Sequence, residues 1–192
     1  MKIVTLNGSP NKNGSTSELL KTIEEELISL NHEVNRYDLY DYTFKSCLGC
    51  FACSKPETKY CAQNDDMIPI LEKIDFSDAL VFGTPVYFGH IPGVAKSMID
   101  RFYTLLASKD KATRWKNKIF ANVITQGGEI QYFENVRTYF QDWFIDYFGM
   151  KQGGTMVVAE LSSAEDLQKQ PESFQKAKEI AKGIHIAFLE KG

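Results

Sequence analysis

Apolar, strand-like runs alternate with helix-like patterns along the whole sequence. The strands are predicted at residues 2–6, 33–39, 79–83, 119–125 and 154–160, and the helices at 15–30, 67–74, 92–106, 133–148 and 163–189, the last interrupted or restarted at Pro171. Five strands that alternate with five helices predict an α/β fold with a parallel, doubly wound sheet and right-handed crossovers. The 192 residues contain no repeat or linker, so we expect one domain over 1–192.

Three loops that follow predicted strands are rich in Gly, Ser or Pro. They span residues 7–17, 84–92 and 125–129. In doubly wound sheets, ligands bind outside the carboxyl ends of the strands. We therefore expect these three loops to converge on one pocket.

The first of these loops has the composition of an anion site. It reads Asn7-Gly8-Ser9-Pro10-Asn11-Lys12-Asn13-Gly14-Ser15-Thr16-Ser17. Free backbone N–H groups and the positive end of a helix converge where such a loop enters a helix. Ser15-x-x-Glu18 has the form of a capping box, which predicts a helix start at Ser15. Lys12 is the only charge in the loop, so hydroxyls and amides would be the ligands, which suits a phosphate monoester.

Two familiar nucleotide-binding patterns are absent from this loop. It contains neither the G-x-x-x-x-G-K-[ST] of nucleoside-triphosphate sites nor the G-x-G-x-x-G of dinucleotide sites. A mononucleotide phosphate remains as the favoured ligand. The alternative interpretation is an ordinary strand-to-helix turn rich in small residues.

The other two loops suit a flat ring system. Pro85-Val86-Tyr87-Phe88-Gly89 offers an apolar wall with two aromatic rings, and Gly127 and Gly128 allow close approach of the backbone. A phosphate site, a stacking wall and hydrogen-bonding glycines together favour FMN. For Tyr87 and Phe88 the alternative is plain core packing.

All four cysteines lie in one segment, residues 45–66. Their spacing is Cys47-x2-Cys50-x2-Cys53-x7-Cys61. Four thiolates from one short segment match a [4Fe–4S] cluster, in which each iron takes one thiolate. Zinc, a redox disulfide and metal-free thiols are the alternatives.

Several of these motifs resemble a known family. Asn7-Gly8-Ser9-Pro10 with Gly14-Ser15-Thr16, the stretch 83–89, and Lys96-x3-Asp100-Arg101 resemble the flavodoxin-like NAD(P)H-dependent FMN reductases. The cysteine motif and Asp65-Asp66-Met67 are similar to the iron–sulfur flavoproteins of the same superfamily. The resemblance implies a flavodoxin-like three-layer sandwich with strand order 2-1-3-4-5, bound FMN, and a homodimer or homotetramer.

The resemblance also implies roles for particular residues. The phosphate would be held by Ser9, Asn11, Asn13, Ser15 and Thr16. The isoalloxazine would face Pro85, Val86, Tyr87, Phe88 and Gly89, with Gly127 and Gly128 nearby. The cluster ligands would be Cys47, Cys50, Cys53 and Cys61. Lys96 and Asp100 stand at helical i,i+4 spacing, so a surface ion pair explains them equally well.

The expected function is that of an FMN-dependent electron-transfer flavoprotein or oxidoreductase. Electrons would pass between the [4Fe–4S] cluster and FMN, from a ferredoxin-like donor to a small acceptor. One alternative is a cluster-free NAD(P)H-dependent FMN or quinone reductase. The others are an FMN-binding carrier or sensor and a phosphate-binding protein without flavin. No side chain is assigned as a general acid or base, because the flavin carries the chemistry.

Charge and hydropathy limit the classes of binding partner that the sequence allows. A net charge of −3 with scattered Lys and Arg gives no footprint for nucleic acid. No apolar stretch is long enough for a bilayer and no signal peptide opens the sequence, so we expect a cytoplasmic protein. Residues 132–148 carry more aromatic surface than one helix face can bury. This predicts a subunit interface or a deep core contact there.

Overall fold

A five-stranded parallel sheet with helices on both faces organises the chain in the computed structural model, which describes residues 1–190. The strands are β1 (Lys2–Asn7), β2 (Glu33–Asp38), β3 (Ala79–Pro85), β4 (Ile119–Thr125) and β5 (Lys151–Val158). Their order is β2-β1-β3-β4-β5, and every pair is parallel. The predicted flavodoxin-like strand order is therefore confirmed.

The helices form two layers. They are α1 (Ser15–Ser29), α2 (Met67–Asp75), α3 (Gly93–Arg101), α4 (Lys109–Lys116), α5 (Glu134–Phe140), α6 (Ala164–Gln168) and α7 (Pro171–Leu189). Helices α1 and α7 pack on one face of the sheet, and α2 to α5 pack on the other. Pro171 is the first residue of α7, so the predicted restart at this proline is confirmed.

Burial on both faces explains why the strands read as unbroken apolar runs. In β3, Ala79 and Val81 face the α1–α7 layer, whereas Leu80 and Phe82 face the opposite layer. All seven residues of β3 and all seven of β4 are buried. Such strands belong to the interior of a parallel sheet.

Some predicted elements differ in extent from the observed ones. β5 begins three residues before the predicted 154, α3 ends at Arg101 and continues as a 3₁₀ turn (Phe102–Leu105), and α4 lies outside every predicted helix. Helix α4 escaped detection because Trp115 is its one buried residue, so it carries no apolar stripe. Within residues 1–190, no helix is both long and apolar enough to cross a bilayer.

The predicted helix 133–148 is really three pieces. A 3₁₀ turn (Ile130–Phe133) leads into α5, and a π-helical segment (Gln141–Tyr147) follows. The Phe148 amide accordingly donates to the carbonyl of Trp143, five residues earlier. This segment stacks the Phe144 ring on Phe120 of β4, with centroids 4.3 Å apart. The aromatic surface of residues 132–148 is thus partly a deep core contact, which was one of the two alternatives predicted for it.

Candidate functional site

An open cleft of about 240 Å³ lies at the carboxyl edge of the sheet, beyond the ends of β1, β3, β4 and β5. Of the predicted cofactor residues, those that line it are Ser9, Asn11, Ser15, Thr16, Pro85, Val86, Tyr87 and Gly127. The other lining residues are Gly14, Thr125, Gln126, Leu161, Ser162 and Ser163. The three predicted loops therefore meet, and a fourth, after β5, joins them.

The start of α1 presents uncapped amides to this cleft. The first hydrogen bond within the helix runs from the Glu18 amide to the Gly14 carbonyl at 3.0 Å, so the amides of 15–17 precede the helical ladder. The helix begins at Ser15 as predicted, but the predicted capping box is wrong. Gly14 is the N-cap without a side-chain cap, and the Glu18 carboxylate instead accepts from Gln168 at 2.8 Å. An external anion can therefore satisfy the amides.

Asparagine side chains shape the loop before α1. The Ser9 amide donates to Asn7 Oδ1 at 3.1 Å, and the Asn13 amide donates to Asn11 Oδ1 at 3.1 Å. The Gly14 amide donates to the Asn11 carbonyl at 3.2 Å. These local bonds hold the loop in one shape. They also place Asn13 outside the cleft lining, although it was predicted to hold the phosphate.

A charged network at the ends of β1 and β2 supports the loop that precedes α1. Asn7 Nδ2 donates to Asp38 Oδ1 at 2.7 Å, and Arg36 Nη2 donates to the same oxygen at 2.9 Å. Burial alone would raise the pKa of Asp38, but its hydrogen bonds from Arg36 and Asn7 outweigh burial and lower that pKa. Arg36 also donates to Ser17 Oγ at 2.5 Å, so the edge strand β2 is tied to the first turn of α1. This network was not predicted from the sequence, although the polar residues of β2 beside the loop could have indicated it.

Buried Glu24 closes the network at its far end. Arg36 Nη1 lies 3.4 Å from Glu24 Oε2. Burial raises the pKa of Glu24, while the nearby guanidinium of Arg36 opposes that rise. The positive charge of Arg36 thus lies behind the start of α1 and is shared between two carboxylates.

The loop after β3 forms one wall of the cleft and then turns away. The Tyr87 amide donates to the His90 carbonyl at 2.7 Å and the His90 amide returns a bond at 3.1 Å, which closes a tight turn. Phe88 (φ 50°) and Gly89 (φ 80°) occupy its left-handed positions, and the Phe88 ring is fully exposed. Phe88 and Gly89 therefore lie outside the cleft lining, and their contact with an isoalloxazine stays a prediction.

The loop after β4 contributes a buried acceptor. The Gln126 side chain donates to the Glu129 carbonyl at 2.6 Å, while its Oε1 atom is buried and has no partner among the described residues. Buried acceptors are normally paired, so a ligand donor or a bound water would complete the bonding of this oxygen. Gly127 lines the cleft, but Gly128 is covered by the rings of Tyr132 and Phe133 and does not.

The cleft fits FMN on these observations. Uncapped amides suit the phosphate, and the Gln126 oxygen suits the N–H or hydroxyl donors that a flavin and its ribityl chain carry. Gln126 lies in the predicted loop 125–129 but was given no role of its own, and the 161–163 loop was not predicted. The rule that selected the other loops would have found residues 161–163, because they follow the carboxyl end of β5.

The cysteine segment holds four free thiols. Cys47 and Cys50 are exposed, and Cys53 and Cys61 are half-buried. Burial, and then the neighbouring Cys61 thiol, raise the pKa of Cys53, with smaller contributions from the other two cysteines. The donor set fits a thiolate-held centre in its chemistry. Ligand geometry is not formed, since within residues 1–190 no three or more His, Cys, Asp or Glu side chains are grouped to hold a metal ion.

Comparisons with known proteins agree with this picture. The family model for NADPH-dependent FMN reductase matches residues 1–164. An iron–sulfur flavoprotein of Archaeoglobus fulgidus is 44% identical over 127 residues, which are 66% of this chain and 60% of that protein. One from Clostridioides difficile is 35% identical over 108 residues, 55% of this chain and 48% of the relative. The chain thus matches between about half and three fifths of these relatives' own lengths.

Solved structures share the fold. An FMN-dependent NADH-azoreductase from Bacillus anthracis, in complex with FMN, superposes with a TM-score of 0.72 at 13% identity. The match covers 95% of this chain and 98% of that one. At this identity the likeness shows a common fold and leaves substrate and partner open.

Proposed function

Because the chain belongs to the NADPH-dependent FMN reductase family, we propose that it is an FMN-dependent oxidoreductase that carries an iron–sulfur cluster and delivers electrons to a small acceptor. The observation that carries the flavin part is the cleft itself. It combines the uncapped start of α1 with the unpartnered oxygen of Gln126.

The chain's own residues bind and orient the flavin. The amides of 15–17 and the hydroxyl of Ser9 receive the phosphate, with the helix dipole supplying positive potential. Within the described chain the cleft lining carries no Lys or Arg. Arg36 lies behind Ser17, and Lys12 of the loop is paired with Asp41. Residues 85–87 form the wall for the ring system. FMN, when bound, supplies hydride and single-electron chemistry.

The cysteine part rests on spacing and on the relatives. Cys47, Cys50, Cys53 and Cys61 would hold a [4Fe–4S] cluster, which, when bound, takes electrons one at a time. The relatives named iron–sulfur flavoproteins support this assignment. A ferredoxin-like donor suits a one-electron centre, and NAD(P)H is the alternative donor that the family name suggests.

The flavin site is tested by placing a negative charge where the phosphate binds. Ser15→Asp keeps the fold, because an acidic residue in the first turn favours a helix. We expect FMN affinity to fall roughly a hundredfold, since like charges about 4 Å apart near a protein surface repel by a few kcal/mol. Ser108→Asp is the matched control, since Ser108 is the N-cap of α4 and lies away from the cleft. Equal FMN binding by both variants, measured from flavin fluorescence, would refute the site.

The cluster is tested by anaerobic purification followed by iron, sulfide and flavin analysis. We expect about four iron atoms per chain and a brown protein. A yellow protein without iron that is bleached by NADH or NADPH would instead support the alternative, a cluster-free NAD(P)H-dependent FMN or quinone reductase.

We also propose a homo-oligomer. Tyr103, Trp143 and Tyr147 are 46%, 46% and 69% exposed around one aromatic groove of about 510 Å³. A second copy of the chain would cover this surface. Light scattering of the purified protein gives its mass in solution, and a monomer at all concentrations would exclude a homodimer or homotetramer.

A further inference from the structure

One buried ion pair joins the two ends of the cysteine segment. The Arg101 side chain, at the end of α3, is 1% exposed and its Nη1 donates to Asp65 Oδ2 at 2.5 Å. The same guanidinium donates to the carbonyls of Lys45 at 3.4 Å and Gln63 at 3.3 Å. One side chain therefore contacts the chain both before Cys47 and after Cys61.

Asp65 completes the connection from the other side. Its Oδ2 accepts from the Lys45 amide at 3.4 Å, and its Oδ1 accepts from the Met67 amide at 3.2 Å. Asp66 Oδ2 accepts from the Thr43 amide at 2.7 Å. These bonds close what we call the neck of the segment, residues 43–46 and 63–67, from which the intervening loop with all four cysteines emerges.

Two sequence motifs that had no role of their own meet at this neck. Asp65-Asp66-Met67 provides the acceptors, and Arg101 from Lys96-x3-Asp100-Arg101 provides the donors. Lys96 and Asp100, by contrast, pair with each other on the surface. Asp65 and Arg101 are 36 residues apart along the chain.

We infer that Arg101 and Asp65 are positioning residues that hold the neck closed, so that the four thiols are presented from one short loop. The inference rests on the proposed cluster. Arginine suits the task, because its planar fork donates to three acceptors from two separate nitrogens, whereas a lysine ammonium donates from one atom alone. Removal of Asp65 leaves the buried Arg101 charge without a carboxylate, and removal of Arg101 leaves partly buried Asp65 with backbone amides as its donors. Either change opens the neck.

The experiment compares Arg101→Gln, Arg101→Lys and Asp65→Asn in the full, FMN-loaded chain. Arg137→Gln is the control, since Arg137 pairs with Glu134 on the exposed surface of α5. Thiol reactivity with a disulfide reagent is measured on cluster-free protein, and iron content is measured after anaerobic reconstitution. Thermal unfolding and bound FMN report on the rest of the fold.

We expect the neck variants to expose Cys53 and Cys61 roughly tenfold faster than wild type, the effect of losing one charged hydrogen bond on a local opening. Reconstituted iron should fall to about half or less, as it does when support behind metal ligands is lost. FMN content should stay at the wild-type value. A purely structural ion pair would lower thermal stability and leave thiol rates and iron unchanged, which would overturn the inference.

Two further measurements keep the test decisive. If wild type takes up no iron, the cluster proposal fails, while the thiol rates still decide whether the neck positions the cysteines. If the Arg101 variants do not fold, Asp65→Asn keeps the side-chain shape, and hydrogen exchange of wild type provides an answer without substitution. Amides of 43–46 and 63–67 that exchange as fast as those of 48–58 would refute a closed neck.

Discussion

At the scale of single residues, Asn7 links the edge strand to the phosphate loop. Its side chain is fully buried at the end of β1, where it donates to Asp38 and accepts from the Ser9 amide. A buried amide with both ends paired fixes the positions of both partners. We infer that Asn7 positions the phosphate loop relative to the end of the sheet and does not contact the ligand itself.

Replacement of Asn7 by alanine tests this role. We expect Asn7→Ala to weaken FMN binding roughly tenfold and to lower the free energy of unfolding by about 1–3 kcal/mol, because Asp38 and the Ser9 amide lose a buried partner. Asn35→Ala is the matched control, since that amide on β2 donates to the exposed carboxylate of Glu33. Flavin titration and urea unfolding of both variants give the two quantities. Equal behaviour of the pair would contradict a supporting role.

The residue scale also shows what could be predicted for the site. The family resemblance implied the roles of Ser9, Ser15 and Tyr87, and all three line the cleft because the loops that carry them follow strand ends. Phe88 was predicted to face the isoalloxazine, but its left-handed backbone directs the side chain to solvent. The glycine that follows is the one local sequence signal for that conformation. The capping-box prediction was wrong because Ser15-x-x-Glu18 requires Ser15 as the N-cap, whereas Gly14 is the N-cap of the observed helix.

At the scale of elements, the contact between α7 and β5 depends on paired glycines. The β4–β5 register shifts at Phe120/Ala121, which leaves Gly153 unpaired as a bulge, and Gly183 of α7 lies directly over it. Alternation of strands and helices predicted the sheet, because that signal is long and periodic. The bulge and the π-helical segment have no periodic signal, so they were visible in the structure alone.

A methyl group at Gly183 would separate this pair of elements. Its Cβ would lie 2.7 Å from the Gly153 carbonyl oxygen, which is backbone and cannot rotate away. We expect Gly183→Ala to lower the free energy of unfolding by about 1–3 kcal/mol from overpacking, despite alanine's helix preference of about 1 kcal/mol. Gly93→Ala is the control, because a Cβ there meets nothing within 4 Å. Stability of Gly183→Ala at or above that of wild type would refute the close contact.

At the scale of the whole molecule, the carboxyl and amino edges of the sheet, where the strands end and begin, carry different features. The carboxyl edge carries the cleft, whereas the amino edge carries a histidine pair that joins the start of β2 to the end of α7. His32 Nε2 lies 2.9 Å from His185 Nδ1, and the His32 ring packs against the edge of Phe188. Burial, and then the Met1 ammonium and His185, lower the pKa of His32 below its usual 6.5. Protonation at this edge therefore opposes folding.

The sign of the resulting pH dependence follows from linkage. Below about pH 6.5 the unfolded chain binds a proton at His32 that the folded chain resists, so the stability is fully present above that pH and declines as pH falls toward the lowered folded pKa. We expect the free energy of unfolding in urea to drop as the pH falls below about 6.5, and to drop less in His32→Asn. FMN affinity of the variant at neutral pH should equal that of wild type, because the pair lies at the opposite edge from the cleft. The same pH slope in both proteins would contradict the assignment to His32, and a loss of FMN affinity would mean that the two edges are coupled.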